Sequence, residues 1–262
     1  MSSTVAKALS LLAHFSEAEP EFGLSALARR AAVDKATVHR MLVVLAAAGL
    51  VEQNSHTKLY RIGAGVLRLA RIREAAFPVS AVVEPALAHL TEVTGETAHA
   101  SLISGSSLGT IGICPSPKSN RVSLEAGEAL SLHGTASGIV FLAFCAPDIA
   151  QRSLAAKLPR HTRHTDTNPN RLRERIALAR QKGFAEADQT YEDEVYGIAA
   201  PLFDAAGVAT GAIAVATPCH RMTPALRKTI IRQLRDAAIG VTRAMGGEPP
   251  AAYLECMKRQ AA

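Results

Sequence analysis

The segment from Leu24 to Ile62 constrains the fold more than any other part of the chain. A short amphipathic stretch over residues 25–32 turns Leu27 and Ala28 inward. After a brief break a second stretch, residues 35–48, carries Val38, Met41, Leu42 and Leu45 on one face. Ser25 and Asp34 stand at the two starts and are residue types that accept a hydrogen bond from an exposed helix-start amide. Gly49 suits the left-handed position just past a helix end. Two extended runs, residues 50–53 and 59–62, then flank the polar turn 54–58, the pattern of a β-hairpin. An earlier amphipathic helix, residues 4–16, puts Val5, Leu9, Leu12 and Phe15 on one stripe, and the acidic, Pro- and Gly-containing stretch 17–23 stops it. Three helices and a hairpin in this order predict a winged helix-turn-helix over residues 1–63.

Charge is distributed accordingly. The formal net charge is +6, yet residues 1–73 hold ten Lys and Arg against five Asp and Glu, while the remainder holds 19 against 18. A basic head on a nearly neutral body points to a polyanion, although charge alone fits a solvated basic surface equally well. In a winged helix-turn-helix the second helix of the motif enters the major groove of duplex DNA. Lys35, Thr37, His39 and Arg40 are therefore the candidates for base edges, with Arg40 able to reach guanine O6 and N7 together. Lys58 and Arg61 on the wing are candidates for phosphates. Ser25 either caps its helix, touches a phosphate, or does both.

Residues 64–76, with Arg68, Arg71 and Arg73, read as a linker helix (64–77) that Phe77 and Pro78 stop. The body, residues 78–248, begins with an amphipathic helix over 80–94. Strand-like runs follow at 97–103, 108–114 and 121–124, then an apolar helix at 136–145. Asn168-Pro169 opens a charged helix that Gly183 ends. Strands at 195–203 and 208–216 and a helix over 224–244 complete it, leaving 249–262 as a C-terminal tail. The order predicts an α+β body with a mostly antiparallel sheet.

Composition excludes several classes. With 48% apolar and 20% charged residues a disordered chain is ruled out. No uninterrupted apolar run is long enough to span a membrane, and the start lacks the apolar core of a secretory signal. Cys114, Cys145, Cys219 and Cys256 lie far apart with no C-x-x-C pair, so reduced thiols and a cytoplasmic location are expected rather than disulfides or zinc. Trp is absent and aromatics are 4%, against a stacking platform for single strands. An enzyme, such as a small-molecule hydrolase or transferase with an accessory basic domain, is the alternative. Its candidates are weak: Ser137 and His133 lack nucleophile-elbow glycines, and His161 and His164 stand among arginines that disfavour a metal ion. No cofactor and no metal are expected.

Across nearly its whole length the chain resembles the isocitrate-lyase-regulator (IclR) family of bacterial transcription factors. Residues 24–52 look like the family's helix-turn-helix, and Leu59-Tyr60-Arg61-Ile62-Gly63 like the end of its wing. In the body, Leu132-His133-Gly134-Thr135-Ala136-Ser137-Gly138, then Gly183-Phe184-Ala185, then residues 197–204 and 212–218 are similar to its effector-domain signatures, in order and at suitable spacing. The resemblance implies a GAF-like effector domain, a homodimer or homotetramer on duplex operator DNA, and control by a small carboxylate or aromatic catabolite. It also implies a pocket floored by the Ala136 and Ser137 amides. Relatives that take small keto acids tend to carry Cys in place of Gly197, Ser in place of Ala214 and Ala216, and an acid in place of Ala187, next to which Asp188 stands here. The pocket, with Val122, Asp188, Val195, Gly197, Ala214 and Ala216 as its other candidates, is thus expected to be wide and apolar, for an aromatic or longer apolar acid rather than glyoxylate. His133 is either a ligand group or a histidine hydrogen-bonded to local backbone.

Overall fold

α1 (Thr4–Ser10) runs directly into a 3-10 turn over Leu11–His14. The computed structural model describes residues 4–16, 19–76 and 79–259, in two units, Met1–Pro78 and Val79–Ala262. Residues 17 and 18 of the acidic stretch, and the Phe77-Pro78 stop, lie outside the described residues. The buried residue of the first helix is Leu11, while Val5 and Leu9 of the predicted stripe are exposed. Each residue of a 3-10 turn advances by more than in an α-helix, which shifts the inward face.

In the first unit β1 (Glu21–Phe22), α2 (Leu24–Arg30), α3 (Lys35–Ala47), β2 (Val51–Gln53), β3 (Tyr60–Ile62) and α4 (Ala64–Ala76) follow. The small antiparallel sheet has the order β1-β3-β2. Asp34 caps α3, its carboxylate accepting from the Thr37 amide at 2.8 Å. Ser25 caps nothing: α2 starts one residue earlier, at Leu24, and Gly23 is its N-cap. Leu27, Val38, Leu42 and Val51 close the core. The end of α3 meets the start of α4 through glycines. Gly49 has φ +72°, and a Cβ on Gly63 or Gly65 would stand 2.4 or 2.6 Å from the Gly49 carbonyl.

The second unit contains α5 (Val79–Thr94), β4 (Thr97–Ser104), β5 (Ser107–Cys114), β6 (Ala129–Leu130), α6 (Ala136–Phe144), α7 (Pro147–Ala155), α8 (Pro169–Lys182), β7 (Ala185–Asp188), β8 (Val195–Phe203), β9 (Ala209–Pro218), α9 (Pro224–Ala244) and α10 (Ala251–Arg259). The sheet is antiparallel throughout, in the order β6-β5-β4-β9-β8-β7. α5 and α9 cover one face around Leu87, Ile213, Val215 and Leu234. α6 and α8 cover the other, against a row of alanines. Asn168 and Gly183 bound α8 as expected, Gly183 with φ +75°.

Three expectations need correction. Residues 121–124 alternate like a strand but form none; the Val122 carbonyl is taken by the Thr97 hydroxyl at 2.8 Å instead of by a neighbouring strand. The short strands β6 and β7 carry too few residues for a sequence period. The tail over 249–262 contains α10, whose Tyr253 is 1% exposed and packs edge-on against Phe144 and Phe203.

Candidate functional site

On the head, the start of α2, the outer side of α3 and the hairpin line one concave groove. Ser25, Arg29, His39, Thr57 and Lys58 meet there. Asn54 orders the hairpin turn, its side-chain oxygen accepting from the His56 and Thr57 amides. Lys58 then takes φ +60° and its side chain is exposed at the turn. Lys35 and Arg40 are exposed on α3, and Arg40 donates from Nη2 to Thr37 Oγ1 at 3.0 Å. The pair thus offers a guanidinium already held by a neighbouring hydroxyl.

Arg61 is engaged by carboxylates on its own sheet. Its guanidinium pairs with Glu52 at 2.7 Å and Glu21 at 3.5 Å, the residues facing it on the two flanking strands. Those carboxylates hold its pKa up, and Arg61 links the three strands. Arg29 was missed by sequence reasoning. The signal was available, since Arg29 lies four residues after Ser25 and therefore on the same helix face.

In the second unit, small residues stand in register across three strands. Ala187 faces Gly197, which faces Ala216; in the next row Ala199 faces Ala214. This hollows the sheet beneath the start of α6, where a Cβ on Gly197 would lie 3.5 Å from that of Ala136. α6 is held close by Gly138, at which a Cβ would stand 2.4 Å from the Leu132 backbone. Thr135 caps the helix by accepting from the Gly138 amide at 2.9 Å. The amides of Ala136 and Ser137, at the first two helical positions, have no acceptor inside the helix. A helix start of this kind suits an anion.

Val122, Ala136, Ser137, Val195, Gly197, Ala214 and Ala216 all line the resulting cavity, which offers about 60 Å³ to the centres of water molecules. Asp188 is not part of it. Side chains alternate along β7, so Ala187 faces the cavity and Asp188 is exposed on the other side, near Cys219.

The cavity has polar members that the sequence reading did not include. His99 on β4 faces Ala214 across the ladder and is 6% exposed. Burial lowers its pKa to about 4, so the ring is neutral near pH 7. Glu128, Tyr191 and Glu192 also line the cavity. The Tyr191 hydroxyl donates to Glu128 at 3.4 Å, and burial and the Glu128 charge raise the Tyr191 pKa to about 12. Burial, and then Glu128, raise that of Glu192. His99 carried one signal, a lone imidazole on the strand face that also bears Thr97 and Ser101.

The other sequence candidates are occupied. His133 Nδ1 lies 3.0 Å from the Ser131 hydroxyl and Nε2 2.8 Å from the Pro159 carbonyl, the locally hydrogen-bonded arrangement. Neither ring nitrogen is then left to serve Ser137 as a base. His164 accepts from Arg163, and His161 packs against Tyr191 with ring centroids 4.9 Å apart. Among the described residues no group of three or more His, Cys, Asp or Glu could hold a metal ion.

Comparison with known proteins gives consistent matches. Residues 4–55 match the family described as the IclR helix-turn-helix domain, and residues 75–243 that described as bacterial transcriptional regulator IclR, C-terminal. The HTH-type transcriptional regulator BhcR of Paracoccus denitrificans is 31% identical over 226 residues, covering 83% of this chain and 80% of its own. A crystal structure assigned as an IclR transcriptional regulator from Silicibacter sp. TM1040 is 41% identical, with a TM-score of 0.86 over 95% of this chain and 99% of that one. An IclR homologue from Microbacterium hydrocarbonoxydans, solved with 4-hydroxybenzoate, shares the fold with a TM-score of 0.72 at 24% identity, over 92% of this chain and 100% of that one.

Proposed function

The chain belongs to the IclR family of bacterial transcriptional regulators, and from that premise we propose that it controls a catabolic operon in response to a small aromatic or apolar monocarboxylate. The observation that carries this reading is the hollow of small residues beneath the α6 start. The Ala136 and Ser137 amides orient the carboxylate by charge-assisted hydrogen bonds, while Gly197, Ala214, Ala216, Val122 and Val195 receive the apolar body. Burial of that body supplies most of the affinity, about 25 cal/mol per Å² before the costs of binding. Glu128 and Glu192 repel a second carboxylate, which favours a monoacid over a diacid. The aromatic acid bound to the Microbacterium homologue is a precedent on the same fold.

On DNA, residues 1–63 act as the reading head and 64–77 as the link to an effector domain over 78–248. Arg40 and Thr37 meet base edges, with Lys35 and His39 beside them; Lys58, Ser25 and Arg29 meet phosphates. The head works as a homodimer or homotetramer on a pseudo-palindromic operator. Val5, Leu9, Val43, Val44, Leu67 and Ile72 support this, since all are exposed on a unit too small to carry so much bare apolar surface without a use for it. Among the described residues no helix is long and apolar enough to cross a membrane, and binding to operator DNA puts the protein in the cytoplasm.

The test combines a thermal-shift panel of benzoates, phenylacetates, short fatty acids, glyoxylate and pyruvate with retention of the protein's own upstream DNA. Stabilisation by aromatic or apolar acids, with a matching change in DNA retention, is expected. Stabilisation by glyoxylate or pyruvate alone refutes the effector class, and no retention of any duplex refutes the head.

A further inference from the structure

His99 is the one cavity-lining side chain whose position the fold leaves unexplained. It is buried on the inner face of β4, and neither ring nitrogen is hydrogen-bonded to any described residue; Nδ1 is wholly out of reach of solvent. Buried polar atoms are rarely left so, because the lost hydration is not regained. Three other buried side-chain atoms are also without partners, Ser101 Oγ, Thr217 Oγ1 and the Tyr253 hydroxyl, but none of those residues lines the cavity. His99 therefore differs from them in having an open space to turn to.

The sheet register fixes where this group lies relative to the α6 start. Gly197, beneath Ala136, is in line with Ala216 on the next strand and Thr97 on the one beyond. His99 is two residues further along β4. At about 4.8 Å per strand and about 3.3 Å per residue, Gly197 and His99 are on the order of 10–12 Å apart in the sheet plane. A single aromatic ring with polar groups at opposite ends, hydrogen-bonded at each end, spans a gap of this order. The floor between is Ala214, Ala216 and Gly197, which offers no side-chain hydrogen bond.

We propose that His99 is a specificity-determining residue that hydrogen-bonds a hydroxyl at the far end of the effector, so that the ligand class is a hydroxylated apolar acid rather than a plain one. The inference rests on the proposed carboxylate site at the α6 start. A neutral imidazole carries one donor and one acceptor nitrogen, and a hydroxyl can serve either. A carboxylate could also accept from the imidazole N–H, but Glu128 and Glu192 in the same lining oppose a second negative charge there. A plain acid fills the same space but leaves the imidazole unpartnered, and sites built to bond a hydroxyl discriminate strongly against ligands that lack it.

The test uses the full-length protein and matched pairs that differ by one hydroxyl: benzoate with 3- and 4-hydroxybenzoate, and phenylacetate with 4-hydroxyphenylacetate. Wild type should bind the better hydroxy acid at least about tenfold more tightly than its parent. In His99→Leu that ratio should fall to about one, with the parent acid bound no more weakly than by wild type. His99→Gln, which keeps a donor and an acceptor, should retain part of the preference. The ¹⁵N shifts of the wild-type imidazole should move with the hydroxy acid and not with its parent. Equal binding of the two acids by wild type, or a preference that survives in His99→Leu, overturns the inference while leaving the carboxylate site standing. Failure of every acid to bind wild type overturns both. If His99→Leu does not fold, the wild-type pairs and the ¹⁵N shifts decide by themselves.

Discussion

Ala199 and Ala214 face each other across β8 and β9, on the same side of the sheet, and are 0% and 2% exposed. Both belong to the cluster formed with the α6 and α8 side chains, but only Ala214 also lines the cavity. Enlarging each to leucine should therefore have opposite consequences. At Ala214 burial of three added carbons gains roughly 2–2.5 kcal/mol, less about 0.5–1 kcal/mol of side-chain entropy, so stability should rise by up to about 1–2 kcal/mol. At Ala199 the same carbons meet packed neighbours, and overpacking should cost about 1–3 kcal/mol. At about 2–4 °C per kcal/mol for a domain of this size, that is a melting loss of roughly 2–12 °C. Scanning calorimetry on the full-length variants measures both. The acid that most stabilises wild type is then titrated into each. Ala214→Leu should lose the ligand-induced shift while binding operator DNA as wild type does without ligand, since the head is a separate unit. Equal destabilisation of the two variants would show that there is no usable space at Ala214. A full ligand shift in Ala214→Leu would put the ligand elsewhere.

Five further outcomes follow from the structure. Arg40→Ala should lose about 1–3 kcal/mol at the specific operator and relax one base preference, whereas Lys58→Ala should weaken all sequences alike and lower the salt slope by about 1 in a titration series. Arg61→Ala should lower the melting temperature of the head, because Glu52 and Glu21 lose their partner, yet leave the salt slope of DNA binding unchanged; a reduced slope would restore it to the phosphate contacts. Gly138→Ala should cost at least about 1–3 kcal/mol, since the new methyl meets backbone rather than a movable side chain, and circular dichroism melts of the variant give that loss. His99 gives the second unit a pH dependence with a definite sign. Above about pH 6.5 the ring is neutral both folded and unfolded, but between 6.5 and about 4 only the unfolded chain binds the proton, so stability falls with falling pH by up to about 3 kcal/mol. Melts of His99→Gln should show a flatter profile over that window than wild type, the carboxylates that titrate in its lower part being common to both proteins.

The features legible in the sequence were those fixed within a turn or two of chain. Asp34 as a cap, Gly49 and Gly183 as helix ends, the inward face of α3 and the continuous apolar runs of β8 and β9 each depend on residues at most a few positions apart, because caps act within one turn and such runs are read locally. The first helix was misphased at Leu11 by a local tightening that no period announces. The cavity lay between these extremes. Its wall residues could be named from the family resemblance, and the loss of polar side chains at Gly197, Ala214 and Ala216 could be read as added room. What could not be read was partnership. Arg61 looked like a free cation until β1 and β2 brought Glu21 and Glu52 to either side, residues 40 and 9 positions away. Asp188 looked like a pocket acid until the pleat of β7 turned it outward. His99 had no visible role until β4 settled beside β9 and set it opposite Ala214, 115 positions later in the chain. Register across strands decides such neighbours, and register is set by the packing of the whole sheet against its helices, not by the residues on either side in sequence.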